Sequence, residues 1–132
     1  DAGATQRTQA IANGINSQRH NAIEMIHCEK KRDPSTGKIS TTTVNSPDLT
    51  GKTAVITDDI CDGGRTFIEL AKAIKGSRPT AKVYLIVTHG IFSAGFKELA
   101  QHFEGIYTTN SYRDVADNEY EEKTNTTTFN IF

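Results

Sequence analysis

Residues 54–70 read AVITDDICDGGRTFIEL. An apolar run passes straight into two adjacent acids, a third acid, two glycines and a threonine, and an amphipathic segment begins at once. Adjacent carboxylates repel, and neighbouring glycines raise the entropic cost of ordering the backbone. A chain tolerates both where something binds. The run TAVITDD (53–59) sets apolar and β-branched residues side by side instead of alternating them, which predicts a strand buried on both faces. The following TFIELAKAIKG (66–76) puts Phe67, Leu70, Ala71 and Ile74 on one helical face and closes on Gly76.

The rest of the chain repeats the alternation. AKVYLIVTHG (81–90) reads as a second buried strand, SAGFKELAQH (93–102) as a short helix with Ser93 as a candidate N-cap, and GIYTTNS (105–111) as a third strand. The order β-α-β-α-β with continuous apolar strands predicts an α/β fold, an open and mostly parallel sheet with helices on both faces. Upstream, residues 4–18 carry Ala4, Ala10, Ile11, Gly14 and Ile15 at helical spacing. NAIEMIHC (21–28) reads as a short strand, EKKRDPSTGK (29–38) as a loop or hairpin tip, ISTTTV (39–44) as β-prone and SPDLTGK (46–52) as a turn. The tail from Arg113 is acidic, then polar, then apolar, and its last four residues are candidates for one more strand.

Composition narrows the function classes. The 132 residues suit a single domain with a core of its own. A net charge of −1 supplies no basic field for nucleic acid. No apolar run approaches the roughly 20 residues of a membrane-spanning helix. Cys28 and Cys61 form neither a disulfide framework nor a zinc pattern, and no signal-peptide pattern is present, so a reducing cytoplasm is the expected setting. Without such a signal, the sequon at Asn125 is read as chance. His20, His27 and His102 lack metal-ligand spacing. The first residue is Asp1 and not Met, which points to part of a longer protein or to a trimmed one.

In an open α/β sheet, ligands bind at the carboxyl ends of the strands. The 58–66 loop lies at such an end and opens into a helix. Its glycines let backbone N–H groups turn inward, and the helix start adds partial positive charge. Thr66 adds a hydroxyl donor and reads as the cap. These features suit a phosphate. Asp58 and Asp59 would repel one, so they serve another part of the ligand, and the vicinal hydroxyls of a sugar are the donors they fit. A pentose 5-phosphate carries both ends. The P-loop and dinucleotide signatures are both absent. A plain acidic turn with a threonine cap is the alternative.

AVITDDICDGGRT resembles the ribose-phosphate motif of type I phosphoribosyltransferases and of ribose-phosphate diphosphokinases, the PRPP synthetases. Asp58, Asp59, Asp62, Gly64 and Thr66 match, while Gly63 stands where Thr is common and Arg65 where Gly is common. Arg65 either reaches the phosphate or points to solvent. Three more stretches resemble the diphosphokinases in particular: VTHGIFSAGFKEL (87–99), YTTNS (107–111) and DAGA (1–4). The resemblance implies a single phosphoribosyltransferase-like domain over 1–132, forming the carboxyl-terminal half of a longer two-domain protein.

The resemblance also implies roles. Lys30 and Arg32 match a flexible Lys-x-Arg loop that closes over the reacting phosphates. Asp58, Asp59, Asp62, Gly63, Gly64, Arg65 and Thr66 correspond to the ribose 5-phosphate site. Mg²⁺ is the implied cofactor, with Asp1, Asp58 and Asp59 as candidate ligands. Ribose 5-phosphate, ATP and PRPP are the implied small-molecule partners, and a homo-oligomer is implied for the longer protein. His89 stands at a strand end near the site and reads as either a site residue or a structural hydrogen-bonding one, and Cys61 reads as a small buried filler, the alternative being a thiol activated near a helix start. A phosphoribosyltransferase that consumes PRPP would share the 58–66 loop but leaves THGIFS and TTNS unexplained. A non-catalytic sugar-phosphate-binding module is the other rival; the intact Lys30 and Arg32 argue against it, while Gly63 and Arg65 favour it.

Overall fold

The computed structural model describes residues 2–18, 23–45, 51–76, 81–112, 126–129 and 131. Helix α1 spans Ala2–Asn16. Strands β1 (His27–Arg32) and β2 (Ile39–Asn45) pair antiparallel as a separate two-stranded ribbon. The main sheet contains β3 (Thr53–Cys61), β4 (Lys82–Gly90), β5 (Gly105–Thr109) and β6 (Thr126–Phe129), in that order and all parallel. Helix α2 (Arg65–Gly76) connects β3 to β4, and the short α3 (Lys97–His102) connects β4 to β5. This is the expected α/β architecture, an open parallel sheet flanked by helices.

The core explains why these segments fold as they do. Ala54 and Ile56 of β3, Val83, Leu85 and Val87 of β4 and Ile106 of β5 point to one side of the sheet. They form one buried cluster with Phe67, Ile68, Ala71 and Ile74 of α2 and Leu99 of α3. Side chains alternate across a strand, so Val55 and Thr57 belong to the opposite side. There α1 reaches the sheet through Thr8, whose hydroxyl lies 3.4 Å from that of Thr57. Val55 stays 51% exposed, so β3 is covered fully on one face only, contrary to the expectation of a strand buried on both.

Four further expectations need correction. The strand expected over 21–28 begins at His27. Residues 23–26 have no regular structure, and residues 21 and 22 lie outside the described set. Lys30 and Arg32 therefore stand on β1 and not on a loop. Pairing with the Thr-rich β2 is through the backbone, and the ribbon leaves Glu29, Lys31 and Arg32 in solvent, so charged side chains are no obstacle to a strand. The tip is residues 33–38, closed by Asp33 N–H to Lys38 O and Gly37 N–H to Asp33 O, both 2.8 Å. Helix α3 starts at Lys97 with no side-chain cap, so Ser93 does not cap it. The final strand is Thr126–Phe129, three residues before the expected one.

Candidate functional site

At the carboxyl end of β3, Asp58, Ile60, Asp62, Gly63, Gly64, Arg65, Thr66 and Phe67 line a cavity of about 380 Å³. The expected ribose-phosphate residues thus gather at one place, except Asp59, which is not in the cavity wall. Adjacent strand residues face opposite sides, and Asp58 takes the cavity side. The chain can turn so tightly at Gly64 because its φ is +83°, a conformation that costs other residues energy. The first helical bond of α2 runs from Ile68 N–H to Gly64 O at 3.0 Å. The amides of Arg65, Thr66 and Phe67 therefore precede the helical ladder, as donors at a positive helix end. Thr66 is the second residue of α2, not its cap, and its hydroxyl has no partner among the described residues.

A second cavity of about 300 Å³ adjoins the first. Arg32, Gly37, Lys38, Arg65, Thr66 and Glu69 line it, so Arg65 and Thr66 belong to both. The β1–β2 ribbon brings Arg32 and Lys38 there, and Arg32 is held by a 3.2 Å bond to Gly37 O. Among the described residues Glu69 pairs with Lys72 at 3.3 Å, leaving the guanidinium of Arg65 without an acid partner. The first cavity sets Asp58 and Asp62 beside Arg65 and the helix start, and the second sets Arg32, Lys38 and Arg65 around one acid, Glu69.

Electrostatics at the acids follow from burial and from a residue the sequence reading did not single out. Burial lifts the Asp58 carboxyl above its usual range, and neighbouring Asp59 adds to the lift. Asp59 is held below its usual value, first by its hydrogen bond with Asp58 and then by the charge of Arg7. Arg7 Nη2 lies 3.3 Å from Asp58 Oδ1, and Nη1 lies 3.2 Å from Asp59 Oδ2. Arg7 is the only charged residue in the sequence of α1, and a lone charge on an otherwise neutral helix was the available signal.

The two downstream stretches brace the loop. Ile91 and Phe92 N–H both donate to Cys61 O, at 2.9 and 3.2 Å, and Ser93 N–H donates to Asp62 O at 3.1 Å. Phe92 adopts a φ of +51°, held by burial and by the Phe96 ring 4.6 Å away. His89 Nδ1 lies 2.6 Å from Ser111 Oγ, which donates to Thr88 O at 3.0 Å. This hydrogen bond ties His89 at the end of β4 to the segment that follows β5. Cys61 is fully buried, and burial, reinforced by Asp62 and Asp58, pushes its thiol up to about 12. It is a filler and not a nucleophile.

Among the described residues no cluster of three or more His, Cys, Asp or Glu side chains is suited to a metal, and Asp1 lies outside them. Asp58 and Asp59 supply two carboxylates that converge on one guanidinium. Mg²⁺ commonly takes one or two carboxylates and completes its shell with water and substrate phosphate, so this donor pair fits it. No helix among the described residues is long and apolar enough to cross a membrane.

A parallel sheet with a glycine turn and a helix start directly after an acid pair defines a class, and comparison with known proteins agrees. Residues 1–92 match the family model described as the phosphoribosyl transferase domain, and the chain belongs to that family. Its relatives include ribose-phosphate pyrophosphokinases. That of Pyrococcus furiosus is 33% identical over 112 residues, covering 84% of this chain and 37% of the relative. That of Mycoplasmopsis pulmonis is 34% identical over 113 residues, covering 84% of this chain and 33% of the relative. The chain thus spans about a third of their length. The fold also matches the crystal structure of phosphoribosylpyrophosphate synthetase from Mycobacterium smegmatis, with a TM-score of 0.67 and 22% identity over 95% of this chain and 38% of that one.

Proposed function

We propose that this chain is the ribose 5-phosphate-binding, carboxyl-terminal half of a ribose-phosphate diphosphokinase. The reaction moves the diphosphoryl group of ATP to the C1 hydroxyl of ribose 5-phosphate, giving PRPP and AMP. The observation that carries the proposal is the pair of cavities sharing Arg65 and Thr66. A ligand whose 5-phosphate sits on the Arg65–Phe67 amides and the Thr66 hydroxyl can turn its hydroxyls toward Asp58. The Arg32, Lys38 and Arg65 wall then lies beside it, suited to a polyphosphate.

Each residue has a physical task. Donors at the helix start bind the phosphate and fix the register of the sugar. The Asp58–Asp59 pair accepts hydrogen bonds from the ring hydroxyls, and charged acceptors make those bonds stronger than neutral ones. As charge shifts onto the oxygens of the transferring group, Arg32 and Lys30 on β1 stabilise it electrostatically, while the ribbon excludes water. Mg²⁺ bound by Asp58 and Asp59, with Asp1 as a further candidate, would neutralise phosphate charge. The ATP site, homo-oligomeric assembly and a cytoplasmic setting belong to the same proposal, since the remaining two thirds of the relatives' length has no counterpart here.

The family match over 1–92 also admits a phosphoribosyltransferase that consumes PRPP. Two assays separate the readings, run on this chain and on a longer protein that carries it. With ATP, Mg²⁺ and ribose 5-phosphate, release of AMP together with PRPP supports the diphosphokinase. Release of diphosphate from PRPP only when a nucleobase is present would replace it with the transferase. Saturable ribose 5-phosphate binding by the longer protein with neither turnover would leave a non-catalytic module.

A further inference from the structure

We infer that Arg7 is a positioning residue that sets the selectivity of this site for ribose over 2-deoxyribose, an inference that rests on the ribose 5-phosphate reading above. Asp58 and Asp59 are consecutive on β3, so their side chains leave the strand on opposite sides. Two carboxylates on opposite sides do not by themselves present a joint acceptor to a vicinal diol. In this structure their tips nevertheless converge, because the two terminal nitrogens of one guanidinium touch both. Arg7 takes Oδ1 of Asp58 and Oδ2 of Asp59, which leaves the second oxygen of each carboxylate outside the bridge. The planar fork of arginine suits such a bridge, and a lysine ammonium reproduces its charge but not its shape.

Asp58 Oδ1 has a second donor, the Asp59 N–H at 2.8 Å, so the bridge and the local backbone fix the same oxygen. Arg7 is itself half exposed, and both of its contacts exceed the 2.7–2.9 Å common for charge-assisted bonds. Exposed ion pairs of this kind contribute little to folding stability. The bridge therefore acts on where the acids point more than on whether the domain folds. Its expected effect lies in discrimination between sugars that differ by one hydroxyl. A site that offers an acceptor to a substrate hydroxyl disfavours the analogue lacking it, because the acceptor is left unpaired.

The test is titration calorimetry of the 132-residue chain with ribose 5-phosphate and with 2-deoxyribose 5-phosphate. The native chain should prefer ribose 5-phosphate by about tenfold, in line with one hydrogen bond to a charged acceptor. Arg7→Gln should bring that ratio to within about twofold while leaving the affinity for the deoxy sugar unchanged, and Arg7→Lys should restore part of the preference. Thr8→Val, which removes a second contact between α1 and β3, should keep the native ratio. A preference retained in Arg7→Gln overturns the inference and leaves the site reading intact. So does an equal loss of affinity for both sugars, or a native chain that binds both alike. Loss of the preference in Thr8→Val as well would assign it to helix docking and also overturn it. Failure of the native chain to bind either sugar phosphate overturns the site reading together with the inference.

Discussion

Gly64 and Leu99 meet with no room for a side chain between them. A Cβ on Gly64 would lie 2.8 Å from Leu99 Cδ2, and Leu99 is almost wholly buried in the core. The tightest point of the 58–66 loop is thus seated on α3, an element that lines neither cavity itself. Gly63 differs, since a Cβ there would meet only Ser93 Oγ at 4.0 Å. The departure from the family pattern at Gly63 falls where a side chain fits.

Gly64→Ala should therefore destabilise the domain by about 1–3 kcal/mol, combining overpacking with a left-handed backbone. Gly63→Ala should change stability by less than about 0.5 kcal/mol. Urea unfolding of the two variants beside the native chain checks the contrast, and equal losses would contradict it.

Thr66→Val keeps the shape of the side chain and removes a hydroxyl that has no partner among the described residues. Folding stability should hardly move. Ribose 5-phosphate affinity, measured by calorimetry, should fall by about 1 kcal/mol or more if the hydroxyl donates to the phosphate. Unchanged affinity would remove Thr66 from the site.

Arg32→Ala should weaken binding of inorganic diphosphate about tenfold, the scale of one lost charge-assisted contact. Ribose 5-phosphate affinity should stay within about twofold, because Arg32 lines only the second cavity. Parallel calorimetric titrations with the two ligands separate the cavities, and equal losses for both ligands would merge them.

The hairpin tip carries a pH signature. Asp33 accepts hydrogen bonds from Ser35 Oγ at 2.6 Å and Ser35 N–H at 2.8 Å, and these hold its carboxyl below the usual 3.8. A carboxyl whose folded pKa is depressed binds fewer protons folded than unfolded, so its contribution is present above the ordinary Asp value. That contribution is lost as pH falls through the depressed value. The Ser35 amide proton shift, followed by NMR, should titrate below 3.8. A midpoint at or above that value would mean the tip does not hold Asp33.

Much of this was legible in the sequence, for local reasons. The strand-to-helix passage at 53–76 combines apolar continuity, a glycine turn and helical periodicity, and all three agree, so β3, the loop and α2 emerged with only small shifts. The ribbon was harder. Cys-Glu-Lys-Lys-Arg has no apolar alternation, and its strand comes from backbone pairing with Thr41–Thr43 across the hairpin tip, which side-chain periodicity does not register. Caps at Ser93 and Thr66 failed because nearby backbone geometry, not residue type, decided where α3 and α2 begin. Arg7 lies 51 residues from Asp58, and periodicity within a helix carries no information about a partner at that distance.

The central claim is that the loop from Asp58 to Thr66 binds the phosphate and hydroxyls of ribose 5-phosphate. The most direct test is an NMR titration of the isotopically labelled chain with ribose 5-phosphate, following every backbone amide. The account predicts saturable shifts concentrated at residues 62–67, largest for the amides of Arg65, Thr66 and Phe67, with weaker shifts at Asp58, Asp59 and Arg7. Shifts that are absent, or centred elsewhere on the chain, would contradict it.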